Sequence, residues 1–194
     1  MELKKGTLIG NFEIIEEISY GGTSVCYKAY QKNLDRYVIF KVLLEHFARD
    51  KEIVDRFTRE AKILAKFNHP NIVRVLDFGK IGNRYFIAME YIEGDSLAYV
   101  IEKGGLPPER VADIIYELAD ALSYIHSRGI IHRDIKPSNI ILKDGKTPVL
   151  VDFGLAFLST LPRLTYEGMV LGTPAYVAPE QLKGKKPSPS CDIY

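Results

Sequence analysis

His132-Arg133-Asp134-Ile135-Lys136-Pro137-Ser138-Asn139 is the stretch on which the reading of this chain turns. It puts an acid, a base and an amide into one polar loop held between two apolar segments. Upstream, Val111, Ile114, Ile115, Leu118, Leu122 and Ile125 share one helical face. That period predicts a long amphipathic helix from about Glu109 to Ser127, closed by Gly129. Downstream, Ile140–Leu142 and Val149–Val151 flank Asp144-Gly145, a hairpin turn signal. Asp152-Phe153-Gly154 follows the second hairpin strand directly. Once the hairpin forms, Asn139 and Asp152 leave adjacent strand ends and can place two oxygens around one cation. A hard divalent ion such as Mg²⁺ suits that arrangement, with phosphate and water filling its remaining positions.

Working outward, the first part of the chain reads as strands. Phe12–Ile18 runs into Gly21-Gly22, Val25–Tyr30 follows, and Tyr37–Leu43 comes after the Asn33-Leu34-Asp35 turn signal. Ile53, Phe57, Leu64 and Phe67 then recur at helical spacing until the Asn68-His69-Pro70-Asn71 cluster. Glu60 falls on that apolar stripe, between Leu64 and Phe67. A carboxylate facing a core is costly unless a cation meets it; the alternative is a side chain that snorkels to an edge. Ile72–Phe78 and Tyr85–Tyr91 form a second strand pair around Gly79–Asn83, and the pattern breaks at Ile92-Glu93-Gly94-Asp95. A boundary is expected there, with strands before it and mainly helix after it.

The chain has 194 residues, enough for one domain or two small lobes. Basic and acidic residues balance at 26 and 25, so net charge offers no field that points to nucleic acid or an anionic membrane. Cys26 and Cys191 are too few for a disulfide framework or a zinc cluster. Met1–Phe12 has no apolar signal-peptide core, and no apolar run approaches the ~20 residues of a membrane span. A soluble, cytoplasmic globular protein is the expectation.

HRDIKPSN, the DFG tripeptide at Asp152 and Ala178-Pro179-Glu180 together resemble, in order and approximate spacing, the signature set of eukaryotic-like, Hanks-type serine/threonine protein kinases, with prokaryotic members as the nearest type. The resemblance runs along nearly the whole chain and implies an α+β, bilobal fold. Residues 1–89 would form a small antiparallel sheet lobe with one C helix, 90–94 a hinge, and 95–194 a mainly helical, incomplete large lobe. It also gives Glu60 a partner, because Lys41 aligns with the strand lysine that positions the α- and β-phosphates of ATP. Asp134 would accept the proton of the substrate hydroxyl and Lys136 would stabilise the transferring phosphoryl group. Asn139 and Asp152 would hold Mg²⁺, with Mn²⁺ as a substitute. Ile18, Val25 and Ile141 would line the nucleotide slot, Met89 would stand at its back, and Glu90 and Ile92 would offer backbone groups to adenine. Leu64, Val75, His132 and Phe153 match a hydrophobic column that these kinases assemble when active. Arg133 beside Asp134 is the feature tied to activation by loop phosphorylation, for which Thr165 is the candidate, and Thr173 resembles the threonine of the substrate-docking segment.

The nucleotide loop departs from the family's G-x-G-x-x-G-x-V. Its residues are Ser19, Tyr20, Gly21, Gly22, Thr23, Ser24, Val25 and Cys26, so serines replace the first and third glycines and a cysteine replaces the valine over adenine. Ile39 stands where the family has alanine, which narrows the adenine slot. These changes bear on ATP affinity, since every charged catalytic position is present. Asp192-Ile193-Tyr194 resembles the first turn of a central helix whose aspartate anchors the His132 backbone; the helices after it are expected in a C-terminal region or a partner that completes the lobe, and Glu180 is expected to lack a counter-ion. The functional expectation is ATP-dependent phosphorylation of a protein serine or threonine. The alternatives are a pseudokinase-like binding module without turnover and a small-molecule phosphotransferase, the latter disfavoured by the HRDIKPSN and APE segments.

Overall fold

The computed structural model describes residues 3–153 and 174–194. The chain divides into two compact units: Met1–Asn68 with Val73–Tyr91, and His69–Ile72 with Ile92–Tyr194. In the first, an antiparallel sheet runs in the order β1-β2-β3-β4-β6-β5, from β1 (Leu8–Ile9), β2 (Phe12–Tyr20), β3 (Ser24–Gln31), β4 (Arg36–Leu43), β5 (Val75–Ile81) and β6 (Arg84–Glu90). Alternation sorts its side chains into two sets, because directly opposed residues of antiparallel strands point to the same face. Val25, Tyr27 and Ala29 oppose Val42, Phe40 and Val38, and with Phe12, Ile14, Phe86 and Ala88 they make one buried apolar cluster. The other face carries Cys26 opposite Lys41, Lys28 opposite Ile39, and Ile39 opposite Met89. A register slip of one residue would exchange the two sets, so the apolar cluster fixes which residues the second face presents.

Helix α1 (Lys51–Leu64) begins at Asp50, whose carboxylate accepts from the amides of Glu52 at 2.9 Å and Ile53 at 3.2 Å. It buries Phe57, Ala61 and Leu64 and, on the same stripe, Glu60. The edge strand expected over Ile72–Phe78 is displaced toward the C-terminus. Ile72 instead makes a parallel bridge to Leu150, and the Leu150 amide donates to the Asn71 carbonyl at 2.9 Å. The buried Asn71 side chain donates to Glu117 Oε2 and the Pro148 carbonyl, both at 2.8 Å. Those bonds assign His69–Ile72 to the second unit although its sequence neighbours belong to the first.

In the second unit, α3 (Pro108–His126) starts with proline, whose missing amide is an orphan at a helix start in any case, and buries Ile114, Ala121, Leu122 and Ile125. Val111, Ile115 and Tyr116 of the same helix are exposed. The hairpin of β8 (Ile140–Lys143) and β9 (Thr147–Leu150) turns through the three residues Asp144, Gly145 and Lys146, the first two left-handed with φ of 54° and 68°. Two short elements precede α3. They are β7 (Gly94–Ser96), paired with β8, and α2 (Leu97–Glu102), capped by Ser96, whose hydroxyl accepts from the Tyr99 amide at 3.1 Å. A four-residue helix, α4 (Pro179–Leu182), follows the Ala178 position.

Gly94 is the tightest point of the smaller sheet. Its φ is +150°, and a Cβ there would stand 2.2 Å from the Leu142 carbonyl oxygen. Gly94→Ala should destabilise the protein by roughly 3 kcal/mol or more, because both backbone strain and a backbone collision must be relieved. The midpoint of urea unfolding reads this loss, and an unchanged midpoint would mean that β7 can detach at no cost.

Candidate active site

Two polar constellations stand out, one in each unit. In the first, Lys41 Nζ donates to Glu60 Oε1 at 2.9 Å. Both residues are nearly enclosed, at 8% and 2% exposure. The glutamate that interrupted the apolar stripe of α1 is therefore met by a cation from β4, and the snorkelling alternative is set aside. Around Lys41 on its face lie Cys26, half-buried Ile39 and buried Met89. The β2–β3 connection is a tight turn in which the Gly21 amide donates to the Ser24 carbonyl at 2.9 Å. A Cβ on Gly21 would sit 3.2 Å from that carbonyl oxygen, a close approach that a glycine avoids. Ile18, Ser19, Tyr20, Gly21 and Gly22 are exposed, Thr23 is half-exposed, and Ser24 and Val25 are buried. Glu90 closes β6, its amide donating to the Arg74 carbonyl at 2.9 Å.

The second constellation is the loop after α3. Asp134 Oδ2 accepts from Asn139 Nδ2 at 2.8 Å and pairs with Lys136 Nζ at 2.9 Å, while the same Asn139 amide also reaches the Asp134 carbonyl at 2.9 Å. With its NH₂ group used in this way, the Asn139 side chain leaves its oxygen as an acceptor. The Val151 amide donates to the Asn139 backbone carbonyl at 3.1 Å, and Asp152 follows Val151 in the chain. Ile92 and Ile141, both half-buried, belong to this unit. Thr165 and Thr173, and Gly154 of the DFG tripeptide, lie outside the described residues.

The loop is shaped from behind by Asp192. Its side chain has 0% exposure. Oδ2 accepts from the His132 amide at 2.8 Å and Oδ1 from the Arg133 amide at 2.7 Å. Arg133 has φ +71°. A non-glycine residue there is strained, but an αL residue turns successive amides toward one anion, so the carboxylate both causes and stabilises the geometry. His126 Nε2, at the end of α3, meets Asp192 Oδ2 at 2.7 Å. Nothing in the sequence singles out His126, which reads as one more polar residue in a last helical turn. The Arg133 guanidinium is shifted down by burial, with the Asp192 charge opposing.

His132 is fully buried and its ring packs on Phe153 with centroids 4.4 Å apart. Its Nδ1 accepts from the Asp134 amide at 3.3 Å, and Nε2 has no hydrogen-bond partner among the described residues. Burial pushes its pKa down to about 4, against the opposing charges of Asp192, Asp152 and Asp134. Glu180 has no ion pair among the described residues, but Ser190 Oγ and Cys191 Sγ each donate to its Oε1 at 3.3 Å.

With this geometry in view, the comparisons with known proteins agree. The family description "Protein kinase domain" matches residues 12–194, and the chain belongs to that family. A probable serine/threonine-protein kinase of Clostridium acetobutylicum is 40% identical over 191 residues, covering 97% of this chain and 29% of the relative. The serine/threonine-protein kinase PknL of Mycobacterium tuberculosis is 36% identical over 193 residues, covering 99% and 48%. The chain thus spans less than half of the length of these curated relatives. Among solved structures, the apo form of PpkA-294 matches with a TM-score of 0.82 at 27% identity, covering 100% of this chain and 75% of that one. The crystal structure of the M. tuberculosis PknI kinase domain matches with a TM-score of 0.74 at 28% identity, covering 100% and 72%. The expected fold, a protein-kinase fold with an antiparallel sheet part and a mainly helical part, is the one observed.

The depressed pKa of His132 makes stability depend on pH. In the unfolded chain it takes up a proton near pH 6.5, whereas in the folded chain it resists until about pH 4. Stability should therefore fall as pH drops through that window, by about 3 kcal/mol from this group, and level off below it. Urea unfolding of wild type and His132→Phe between pH 7 and 4 measures the term. The variant should lose less stability over the window, and equal losses would show that His132 is solvated.

Proposed function

We propose that the protein is an ATP- and Mg²⁺-dependent serine/threonine protein kinase that transfers the γ-phosphoryl group of ATP to a hydroxyl of a protein substrate. Membership of the protein kinase family supports the reaction class. The observation that carries the residue assignment is the grip of Asn139 and Lys136 on one oxygen of Asp134. A carboxylate held this way keeps one face fixed while its other oxygen can accept the proton of an incoming hydroxyl. Lys136 lies within reach of the same reacting centre and supplies positive charge where the transferring group gathers negative charge.

The donor set suits the nucleotide and its metal. Asn139 and Asp152 offer two hard oxygens from adjacent strand ends, and Mg²⁺ takes its other ligands from phosphate and water. Bound Mg·ATP supplies the phosphoryl group and the charge neutralisation it needs. Lys41, fixed by Glu60, offers an ammonium to the phosphates, and Cys26, Ile39 and Met89 offer apolar surface to the base. The wall made by Ile39 also favours a second reading, a kinase-like module that binds nucleotide or protein without turnover. The substrate class is a protein with serine or threonine, not a nucleic acid, and the assigned compartment is the cytoplasm; no helix among the described residues is long and apolar enough to cross a membrane. Exposed Val111, Ile115 and Tyr116 call for a covering surface, from a C-terminal region or a partner, to complete the helical unit.

Asp134→Asn should leave ATP affinity nearly unchanged and lower phosphoryl transfer to a protein substrate by at least about 10²-fold, because only the proton acceptor is lost. Near wild-type turnover would sink the assignment. Binding without transfer in the parent protein would select the second reading.

The nucleotide pocket yields a separate expectation. Ile39→Ala combined with Ser19→Gly and Ser24→Gly should tighten ATP binding by roughly 1–2 kcal/mol, about tenfold in Kd. Calorimetric titration measures it, and unchanged or weaker binding would mean that the pocket is already adapted to its unusual residues.

A further inference from the structure

Asp192 is carried by a single 3₁₀ turn, Pro189–Asp192, that begins after Ser188. The turn is fastened to α4 by a chain of small polar groups. Ser190 Oγ and Cys191 Sγ donate to Glu180 Oε1, and Ser188 Oγ stands 2.6 Å from Ser190 Oγ. A carboxylate only accepts, and with Ser190 donating its one hydroxyl proton to Glu180, the Ser188 hydroxyl is the donor toward Ser190. The relay therefore runs from Ser188 through Ser190 to Glu180 at one end of the turn. At the other end, Asp192 grips the amides of His132 and Arg133.

Ser188 sits where a modifying enzyme could reach it. It is exposed and extended, with φ −131° and ψ 166°, in the irregular stretch between α4 and the turn. Exposed Lys183, Lys185 and Lys186 precede it, and the Lys185 amide bonds the Glu180 carbonyl at 3.0 Å. A phosphate on Ser188 would remove the proton that Ser188 donates and become an acceptor itself. Ser190 would then have one proton for two anionic acceptors. The new dianion would also repel the Glu180 carboxylate and find compensation in the lysines on the other side. Each effect loosens the fastening of the turn that positions Asp192.

We propose that Ser188 is a phosphoryl-acceptor site through which a second copy of this chain turns the catalytic loop down. The proposal rests on the kinase reading above. The γ-phosphoryl group of ATP bonds to Ser188 Oγ as its bond to the ADP oxygen breaks; the hydroxyl proton passes to the Asp134 carboxylate of the second copy and on to solvent. The acceptor belongs to another copy because the turn after Ser188 is bonded through Asp192 to the very loop that carries its own Asp134.

The test has two arms on the full chain. In the first, protein incubated with Mg·ATP and a generic protein substrate is mapped by peptide mass spectrometry. Phosphate should appear on Ser188, and Ser188→Ala should keep transfer to the generic substrate during long incubations in which wild type slows. In the second, phosphoserine is installed at position 188 by genetic encoding, and amide hydrogen exchange is read at His132 and Arg133. Exchange there should quicken by about tenfold or more, and by clearly less in Ser188→Ala, which loses the donated proton but adds no charge. A preparation that phosphorylates the generic substrate but never Ser188 overturns the acceptor assignment, and unchanged exchange in the phosphoserine form overturns the relay. Failure to phosphorylate any protein overturns the kinase reading instead, and the exchange arm still decides the relay because it needs no activity.

Discussion

The carboxylate of Asp192 organises the polar loop of the second unit. It has no solvent exposure, and its two oxygens accept from two consecutive amides and an imidazole. Burying an ion is unfavourable unless its lone pairs are satisfied, and here they are satisfied by groups that must be oriented for the purpose. The orientation comes from the left-handed backbone of Arg133, which a long side chain adopts only at a cost. Once that corner is fixed, Asp134 leaves it in a defined direction, His132 is driven inward onto Phe153, and Asn139 closes back on Asp134. Removing the carboxylate would take away the acceptor shared by the two amides of this strained corner.

In the first unit the corresponding constraint is the pair of Lys41 and Glu60. The pair is held because two periodicities agree. Strand alternation brings Lys41 to the face opposite the apolar cluster of Phe12, Phe40 and Phe86, and helical spacing brings Glu60 to the buried stripe of α1. Breaking a buried pair by removing one partner typically costs about 3–5 kcal/mol, since the remaining charge stays enclosed. An enclosed charge pair is a weak device for stability alone. It fixes one ammonium at a defined place on the sheet face that also carries Cys26, Lys28, Ile39 and Met89.

Much of this was legible in the sequence, and the reasons differ by element. Glu60 was visible as a misfit on an apolar stripe, and the family resemblance supplied its partner. Asp144-Gly145 announced its turn because few residues tolerate two successive left-handed positions. The anchor role of Asp192 came with the resemblance, but the strained Arg133 and the added hydrogen bond from His126 did not, because each depends on contacts some sixty residues apart in the chain. β7 was not legible: Gly94-Asp95-Ser96 has no strand propensity and is a strand only because β8 offers it an edge. The grouping of His69–Ile72 with the second unit was hidden for the same reason, since the Asn71 side chain is ordered by the distant Glu117 and Pro148. Local signals report local preferences, whereas these elements are decided by distant partners.

The proposed kinase reading puts the metal of a bound nucleotide on Asn139 and Asp152, the residues at and next to the Val151-to-Asn139 hydrogen bond. Paramagnetic broadening by Mn²⁺·ATP tests it most directly, because the effect falls off steeply with distance from the ion. The account predicts loss of the Asn139 side-chain amide and Phe153 backbone amide signals on adding Mn²⁺·ATP, with both restored in Asp152→Ala. Broadening confined to other parts of the chain, with these signals intact while nucleotide is bound, would contradict it.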